Sequence, residues 1–305
     1  MKRAIITFTI ALLIVASVVV CKNLYSCDIP VGNRGVRDAI SAGDIDRLFI
    51  GSSTFRSNLD IDILDRTYDG RDYILAYGGN QLMAFPIQYD EITRRSSNSY
   101  DLMIFELDPL MLTEEARLSD SRVVFDLSWE GKKELWSKLS SSDATDFSVF
   151  YEYFVTSGLD DIFTYPLTEP FYATRYNKGA KTGDTPSSGR DFLENEQFDI
   201  SDARIDPIQE AAVLELIDKC RGRGQDFMFL ESPHYHRLSD DPVYKKYLKY
   251  YTDLLDANNV KYSLASDLSF DDSDPEYFED MGHMSGAGRR TYTEELVTLD
   301  LMKLR

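Results

Sequence analysis

Two short stretches, far apart in the chain, carry residue types that together suit acyl chemistry. The first is Gly51, Ser52, Ser53, directly after the apolar run Arg47 to Ile50. The second is Asp280, Met281, Gly282, His283, just ahead of the C-terminal stretch Ala287 to Leu304. Asp and His three apart, with a glycine between them, let one tight turn bring a carboxylate to one imidazole nitrogen while the other nitrogen faces outward. An imidazole with a pKa of about 6.5 can take a serine proton and return it to a leaving alcohol near neutral pH. Each stretch also has a plainer reading. Gly51 to Ser53 is a polar strand-to-helix turn in which Ser53 or Thr54 caps the next helix. Asp280 can be one more charge in the acidic run Asp271 to Asp280, with His283 at a helix start. What favours chemistry is the two stretches together: a serine hydroxyl from the Gly51 to Ser53 turn, an imidazole, His283, suited to take its proton, and a carboxylate, Asp280, placed to orient that imidazole.

Other reactive residues are few. His234 and His236 follow a predicted strand, on the same sheet edge as Ser53, and with His283 make up all three histidines. They are expected to form a polar, substrate-binding wall of the pocket. A metal site is not expected, because no nearby Asp or Glu has helical ligand spacing, and no cofactor is called for. Cys21, Cys27 and Cys220 match no zinc motif and cannot build a disulfide framework. Cys220 falls on the apolar stripe of Val213, Leu216 and Ile217, and is expected in the core.

Five short apolar runs position these residues: Arg47 to Ile50, Tyr73 to Tyr77, Asp101 to Glu106, Asp226 to Glu231 and Val260 to Leu264. They read as buried parallel strands. Helix-length amphipathic stretches lie between several of them. Asp206 to Arg223 is the clearest, with an Asp cap, Pro207 in first place and glycines 222 and 224 closing it. Lys245 to Asn258 and Ala287 to Leu304 read as further helices. Strand and helix alternating in this way predict an α/β three-layer sandwich with a central five-stranded parallel sheet and a flavodoxin-like topology.

The alternation breaks over an insertion at about 110–205. It holds two predicted helices, Trp129 to Leu139 and Asp146 to Ser157, then a Gly, Thr, Ser and Pro-rich run, Tyr176 to Gly189, that reads as a mobile loop. Such an insertion suits a lid or a substrate-side wall. Its aromatics, among them Trp129, Trp136, Phe150, Tyr165, Phe171, Tyr172 and Tyr176, read as a small satellite core, with one or two stacking on a sugar ring or acyl chain as the sharper alternative.

At the N-terminus Lys2 and Arg3 precede an uncharged aliphatic run, Ala4 to Cys21, that ends at Lys22. At about 1.5 Å per helical residue it reaches about 27 Å, just short of a ~30 Å hydrocarbon core. Residues 1–28 thus fit a signal anchor or a cleaved signal peptide, and the lack of a small-x-small site favours the anchor. Leu24 to Cys27 only loosely resemble a lipobox. The leading positive charges place residues 29–305 outside the cytoplasm. With 33 basic against 52 acidic residues and net charge −19, the chain would repel a phosphate backbone. Nucleic acid is therefore not an expected partner, and tight binding of a strongly anionic polymer is disfavoured.

With these residues in place, the sequence resembles the SGNH, or GDSL-type, serine hydrolase superfamily over about Asp46 to Leu301. That family carries its nucleophile in a Gly-x-Ser after the first strand and its other triad members in an Asp-x-x-His before the last helix. The resemblance implies a catalytic set of Ser53, Asp280 and His283. It also implies a glycine oxyanion donor after the second strand, best matched by Gly79, acting with the Ser53 amide. The chain departs from the family after the third strand, where Glu106, Leu107, Asp108, Pro109 replace a Gly-x-Asn whose amide donates to the oxyanion. Asn80 is the expected substitute. Together with the anchor, this departure resembles membrane-bound SGNH-like proteins such as those of D-alanyl-teichoic-acid transfer and alginate-type O-acetylation. That implies an esterase or O-acyltransferase acting on an acylated carbohydrate or cell-wall polymer, with a multi-pass membrane acyltransferase as partner. The alternative is a catalytically weak or inactive scaffold on the same fold.

Overall fold

Successive residues of a strand leave opposite faces of a sheet, so a strand buried on both sides must be apolar throughout. Leu48, Phe49 and Ile50 meet that condition: all three are fully buried, with Leu48 and Ile50 on one face and Phe49 on the other. The computed structural model of the chain describes residues 2–29, 34–68, 70–117, 121–140, 147–157, 159, 167 and 174–299. Asp146, Tyr165, Phe171, Tyr172 and the end of the helix expected to reach Leu304 lie outside the described residues.

In chain order the elements begin with α1 (Lys2–Tyr25), α2 (Gly35–Ser41), β1 (Ile45–Gly51), α3 (Ser53–Asn58), α4 (Ile61–Tyr68) and β2 (Asp72–Ala76). Then come α5 (Phe85–Arg95), β3 (Tyr100–Glu106), α6 (Ser121–Asp126), α7 (Trp129–Leu139) and α8 (Phe147–Tyr151), which runs on into a π-helical turn, Glu152–Thr156. A hairpin follows, β4 (Tyr176–Asn177) and β5 (Ala180–Lys181), then α9 (Arg190–Asn195), α10 (Pro207–Gly222) and β6 (Phe227–Leu230). The last elements are α11 (His236–Ser239), α12 (Pro242–Ala257), β7 (Tyr262–Ser263) and α13 (Gly286–Thr298).

The main sheet has five strands in the order β2-β1-β3-β6-β7, all parallel. This is the expected three-layer α/β sandwich with flavodoxin-like strand order. One face buries Leu48, Leu75, Phe105 and Phe229 under α2, α5, α10 and α12, and Cys220 lies in that layer as expected. The other buries Phe49, Ile74, Ile104 and Leu230 under α3, α4 and α13. The Asp206 carboxylate caps α10 by accepting from the N–H groups of Ile208 and Gln209, as its sequence signature predicts. β7 is shorter than expected because it is an edge strand that pairs only with β6.

Two expectations for the insertion are corrected. Tyr153 belongs to the main core and Trp136 and Phe154 pack against it, with Trp129 and Phe150 stacked on that group, so these aromatics extend the main core instead of forming a separate satellite. Apolar surface there is continuous with α5, where Glu91 accepts from the Ser128 N–H (3.0 Å) and from its hydroxyl. The run from Tyr176 is a docked hairpin instead of a mobile loop. The Ile74 N–H of edge strand β2 donates to the Lys178 carbonyl at 2.9 Å, and Arg289 of α13 donates to the carbonyls of Lys181 and Gly183. Gly179 makes this approach possible: its φ is +82°, and a Cβ there would stand 1.7 Å from the Ile74 carbonyl oxygen.

Candidate active site

The site begins where β1 ends. Gly51 must lack a side chain, since a Cβ would lie 2.7 Å from a Glu106 carboxylate oxygen and 2.9 Å from the Phe55 ring. Ser52 caps α3, its hydroxyl accepting from the Thr54 N–H at 3.1 Å, and its own N–H donates to Glu106 Oε2 at 2.5 Å. The chain then turns sharply, so that Ser53, first residue of α3, presents its hydroxyl at the carboxyl edge of the sheet. Open α/β sheets hold their ligands at this edge.

His283 reaches the same point from the other end of the chain. Its Nε2 lies 2.8 Å from Ser53 Oγ, and its Nδ1 lies 2.8 Å from Asp280 Oδ2 and 3.0 Å from Oδ1. A carboxylate at Nδ1 fixes the proton there, which leaves Nε2 to accept from the Ser53 hydroxyl. Asp280 also accepts from the N–H groups of Gly282 and His283, each at 2.8 Å, so the turn is wound around its own carboxylate. Burial works against the Asp280 charge, but the hydrogen bond and charge of His283 and those two N–H groups outweigh it, and its pKa lies below the ordinary carboxylate value. Burial likewise opposes the imidazolium, but Asp280, then Glu279, outweigh it and hold His283 above the ordinary histidine value.

Asn58, which the sequence reading did not single out, ties the two halves together. Fully buried at the end of α3, it donates to the Gly282 carbonyl at 3.1 Å and accepts from the Met284 N–H at 2.8 Å. Nothing local in the sequence marks it, because both partners come from the far end of the chain.

The residues expected at the oxyanion divide. The Ser53 N–H, at the free start of α3, makes no hydrogen bond among the described residues. Gly79 is exposed with φ +62° in the turn after β2, and the register Gly51 to Ala76 sets that turn beside the Ser53 turn. Asn80 is corrected. It is 2% exposed, and its amide hydrogens go to the Gly51 carbonyl (2.9 Å) and to Gln88 (3.1 Å), so it clamps β1 to α5 instead of facing a substrate. At the end of β3, Glu106 lies beneath the Ser53 turn. Complete burial, aided by Asp108, pushes its pKa up to about 8 against the pull of the Ser52 N–H. Its Oε1 has no partner among the described residues.

His234 and His236 are likewise corrected, since neither lines the cleft that opens over Ser53. His234 is buried under the His283 turn, its Nδ1 3.1 Å from the Tyr244 hydroxyl, and burial lowers its pKa. His236 starts α11 and faces Glu194 at 3.7 Å. The chain passes beneath the Asp280 turn after β6, which carries both rings away from the opening. The wall is built by the hairpin instead. The cleft, about 560 Å³, is bounded by Arg56 and Ser57 of α3, by Arg175, Tyr176, Lys181 and Thr182, and by the Glu279 to His283 turn. Arg34 and Arg56 both stand over the Tyr176 ring, at 5.0 and 5.8 Å. Lys181 pairs with Glu279 at 3.3 Å, while Arg175 makes no ion pair among the described residues. Against the chain's acidic balance, the cleft gathers three basic side chains, Arg56, Arg175 and Lys181, beside the carboxylates of Glu279 and Asp280. Arg56 was within reach of sequence reading, three residues past Ser53 on one helix face; Arg175 and Lys181 were not.

Fold and geometry together define a three-layer α/β protein with a serine, histidine and aspartate array at the carboxyl edge of its sheet. The sequence matches no family model and no curated protein. Among solved structures, the chain is similar to a protein of Streptococcus pneumonia assigned as a platelet activating factor, with 13% identity, TM-score 0.40, and coverage of 87% of this chain and 86% of that one. It is also similar to a catalytic mutant of Axe2, an acetylxylan esterase from Geobacillus stearothermophilus, with 10% identity, TM-score 0.38, and coverage of 86% and 96%. At such scores neither neighbour bears on the chemistry, which rests on the site itself.

Proposed function

We propose that this chain is a membrane-anchored serine esterase or O-acyltransferase of SGNH type, acting outside the cytoplasm on acylated carbohydrate or cell-wall polymers. The observation that carries the reading is the hydrogen-bonded series Ser53 Oγ, His283 Nε2, His283 Nδ1, Asp280, with both of its links at 2.8 Å. Ser53 Oγ attacks an ester carbonyl as His283 takes its proton. The oxyanion forms toward the N–H groups of Ser53 and Gly79. His283 then protonates the departing alcohol, leaving an acyl group on Ser53, and water or a sugar hydroxyl resolves that ester with His283 again as base. Arg56, Arg175 and Lys181 favour an acyl ester carried on an anionic framework. A multi-pass membrane acyltransferase is the partner this reading implies. No cofactor enters the scheme.

A second reading, a scaffold that binds an acyl-polymer or that partner with little turnover, is favoured by one observation: the Asn80 amide is committed to Gly51 and Gln88. Loss of one oxyanion donor typically costs about 3 to 4 kcal/mol of transition-state stabilisation. Labelling of the full-length protein in detergent with a fluorophosphonate, read by intact mass, separates the two. A single adduct on wild type that is absent from Ser53→Ala supports the enzyme. No adduct on a folded wild type supports the scaffold.

A further inference from the structure

The N-terminal helix has two distinct parts. Along its apolar run side chains stand free of protein, with Phe8 at 71%, Leu13 at 61% and Val20 at 54% exposure. Only two residues later the helix is gripped. Lys22 donates to the carbonyls of Ser157 (2.8 Å) and Tyr153 (3.4 Å), and Asn23 donates to that of Phe154 (2.8 Å). Lys132 of α7 closes the grip by donating to the Asn23 carbonyl at 3.0 Å and to the Ser26 hydroxyl at 2.7 Å. If α1 crosses a bilayer, hydrocarbon must end where free apolar side chains give way to this buried, polar clamp. The carbonyls of Tyr153, Phe154 and Ser157 then lie at headgroup depth.

Those carbonyls belong to the π-helical turn that continues α8. Tyr153 and Phe154 turn inward onto Trp136, at ring distances of 5.4 and 5.2 Å. The preceding turns are exposed, with Phe147 at 78% and Tyr151 at 48%, while Phe150, at 43%, also sets its ring against Trp136 (5.5 Å) and Phe154 (5.0 Å). At about 1.5 Å per residue the whole segment stays within about 15 Å of the clamp. Aromatic side chains at the boundary between water and lipid are stabilised there by an apolar ring beside polar headgroups.

We propose that α8 is a second membrane attachment, with Phe147, Phe150 and Tyr151 inserted in the interfacial zone of the bilayer that α1 crosses. The inference rests on the reading of α1 as an anchor. Two attachments joined by a rigid clamp hold the domain, and with it the Ser53 cleft, at one tilt and height over the lipid. A single helix on a loose tether would let both vary.

Full-length protein is reconstituted into phosphatidylcholine vesicles brominated either near the headgroup or deep in the acyl chain. Phe147→Trp and Tyr151→Trp each add a reporter to the native Trp129 and Trp136, and Phe192→Trp, an exposed aromatic on α9, is the control. The fluorescence added at 147 and at 151 should be blue-shifted and quenched at least twofold more by shallow than by deep bromine, while that added at 192 is unquenched. Added emission at both 147 and 151 that matches the control, in protein that resists alkaline carbonate extraction, overturns the second attachment and leaves the anchor intact. Release of the protein by carbonate overturns the anchor and the inference with it.

Discussion

At the scale of single residues, the site makes predictions through charge. His283 must be neutral to accept the Ser53 proton, and its pKa is raised by Asp280. Activity should therefore fall on the acid side of a limb lying above about 6.5, the ordinary histidine value. Asp280→Asn should move that limb down and lower kcat, less severely than His283→Ala, as measured by pH–rate profiles on a short acyl ester. Equal rates for wild type and Ser53→Ala would remove the nucleophile assignment. Arg175→Ala should raise KM roughly tenfold for the carboxylate-bearing ester 4-acetoxybenzoate, about one charge-assisted contact, and leave its methyl ester unchanged. Glu106 titrates in the opposite sense to a paired carboxylate. Its folded pKa of about 8 stands above the ordinary glutamate value of about 4.5, so its contribution to stability is complete below about pH 4.5 and lost as pH rises toward 8. Between pH 5 and 7.5 wild type should lose roughly 3 kcal/mol more stability than Glu106→Gln, which keeps an acceptor for Ser52 but cannot ionise. Equal losses in denaturant titrations would mean that Glu106 is already ionised.

At the scale of elements, the insertion divides its labour. Its helices α6 and α7 and the π-helical turn after α8 join the core and grip the N-terminal helix, whereas its hairpin closes one side of the cleft. That hairpin hangs on the contact between Gly179 and the edge of β2. Gly179→Ala must lift β4 and β5 away from Ile74, because no rotamer change relieves a clash between a Cβ and a backbone carbonyl. The Ser53, His283 and Asp280 array itself would remain, since α3 and the Asp280 turn are joined through Asn58. Fluorophosphonate labelling of Gly179→Ala should thus persist while KM for a polymeric or anionic ester rises severalfold. A variant with unchanged KM would show that the hairpin takes no part in binding.

At the scale of the whole molecule, the N-terminal helix is continuous with the fold, and truncation tests this. A chain starting at residue 29 leaves the buried Lys132 ammonium without the Asn23 carbonyl and Ser26 hydroxyl, at a cost of about 3 kcal/mol or more. A chain starting at residue 22 keeps both partners and should melt several degrees higher in the same detergent. Equal melting temperatures would mean that the clamp adds nothing to stability.

The strands, the capped helix after Asp206, the apolar N-terminal run and the Ser53, Asp280 and His283 set were all legible in the amino-acid sequence. Each is written in side-chain periodicity or in spacings of a few residues, where backbone geometry leaves little choice. The roles of Asn80, His234, His236 and the hairpin were not. Whether an amide faces a substrate or is consumed by Gly51 and Gln88 depends on which distant surfaces bury one another. So do the link from Asn58 to the His283 turn and the grip of Lys132 on α1, because their partners meet only when the sheet and its layers have assembled.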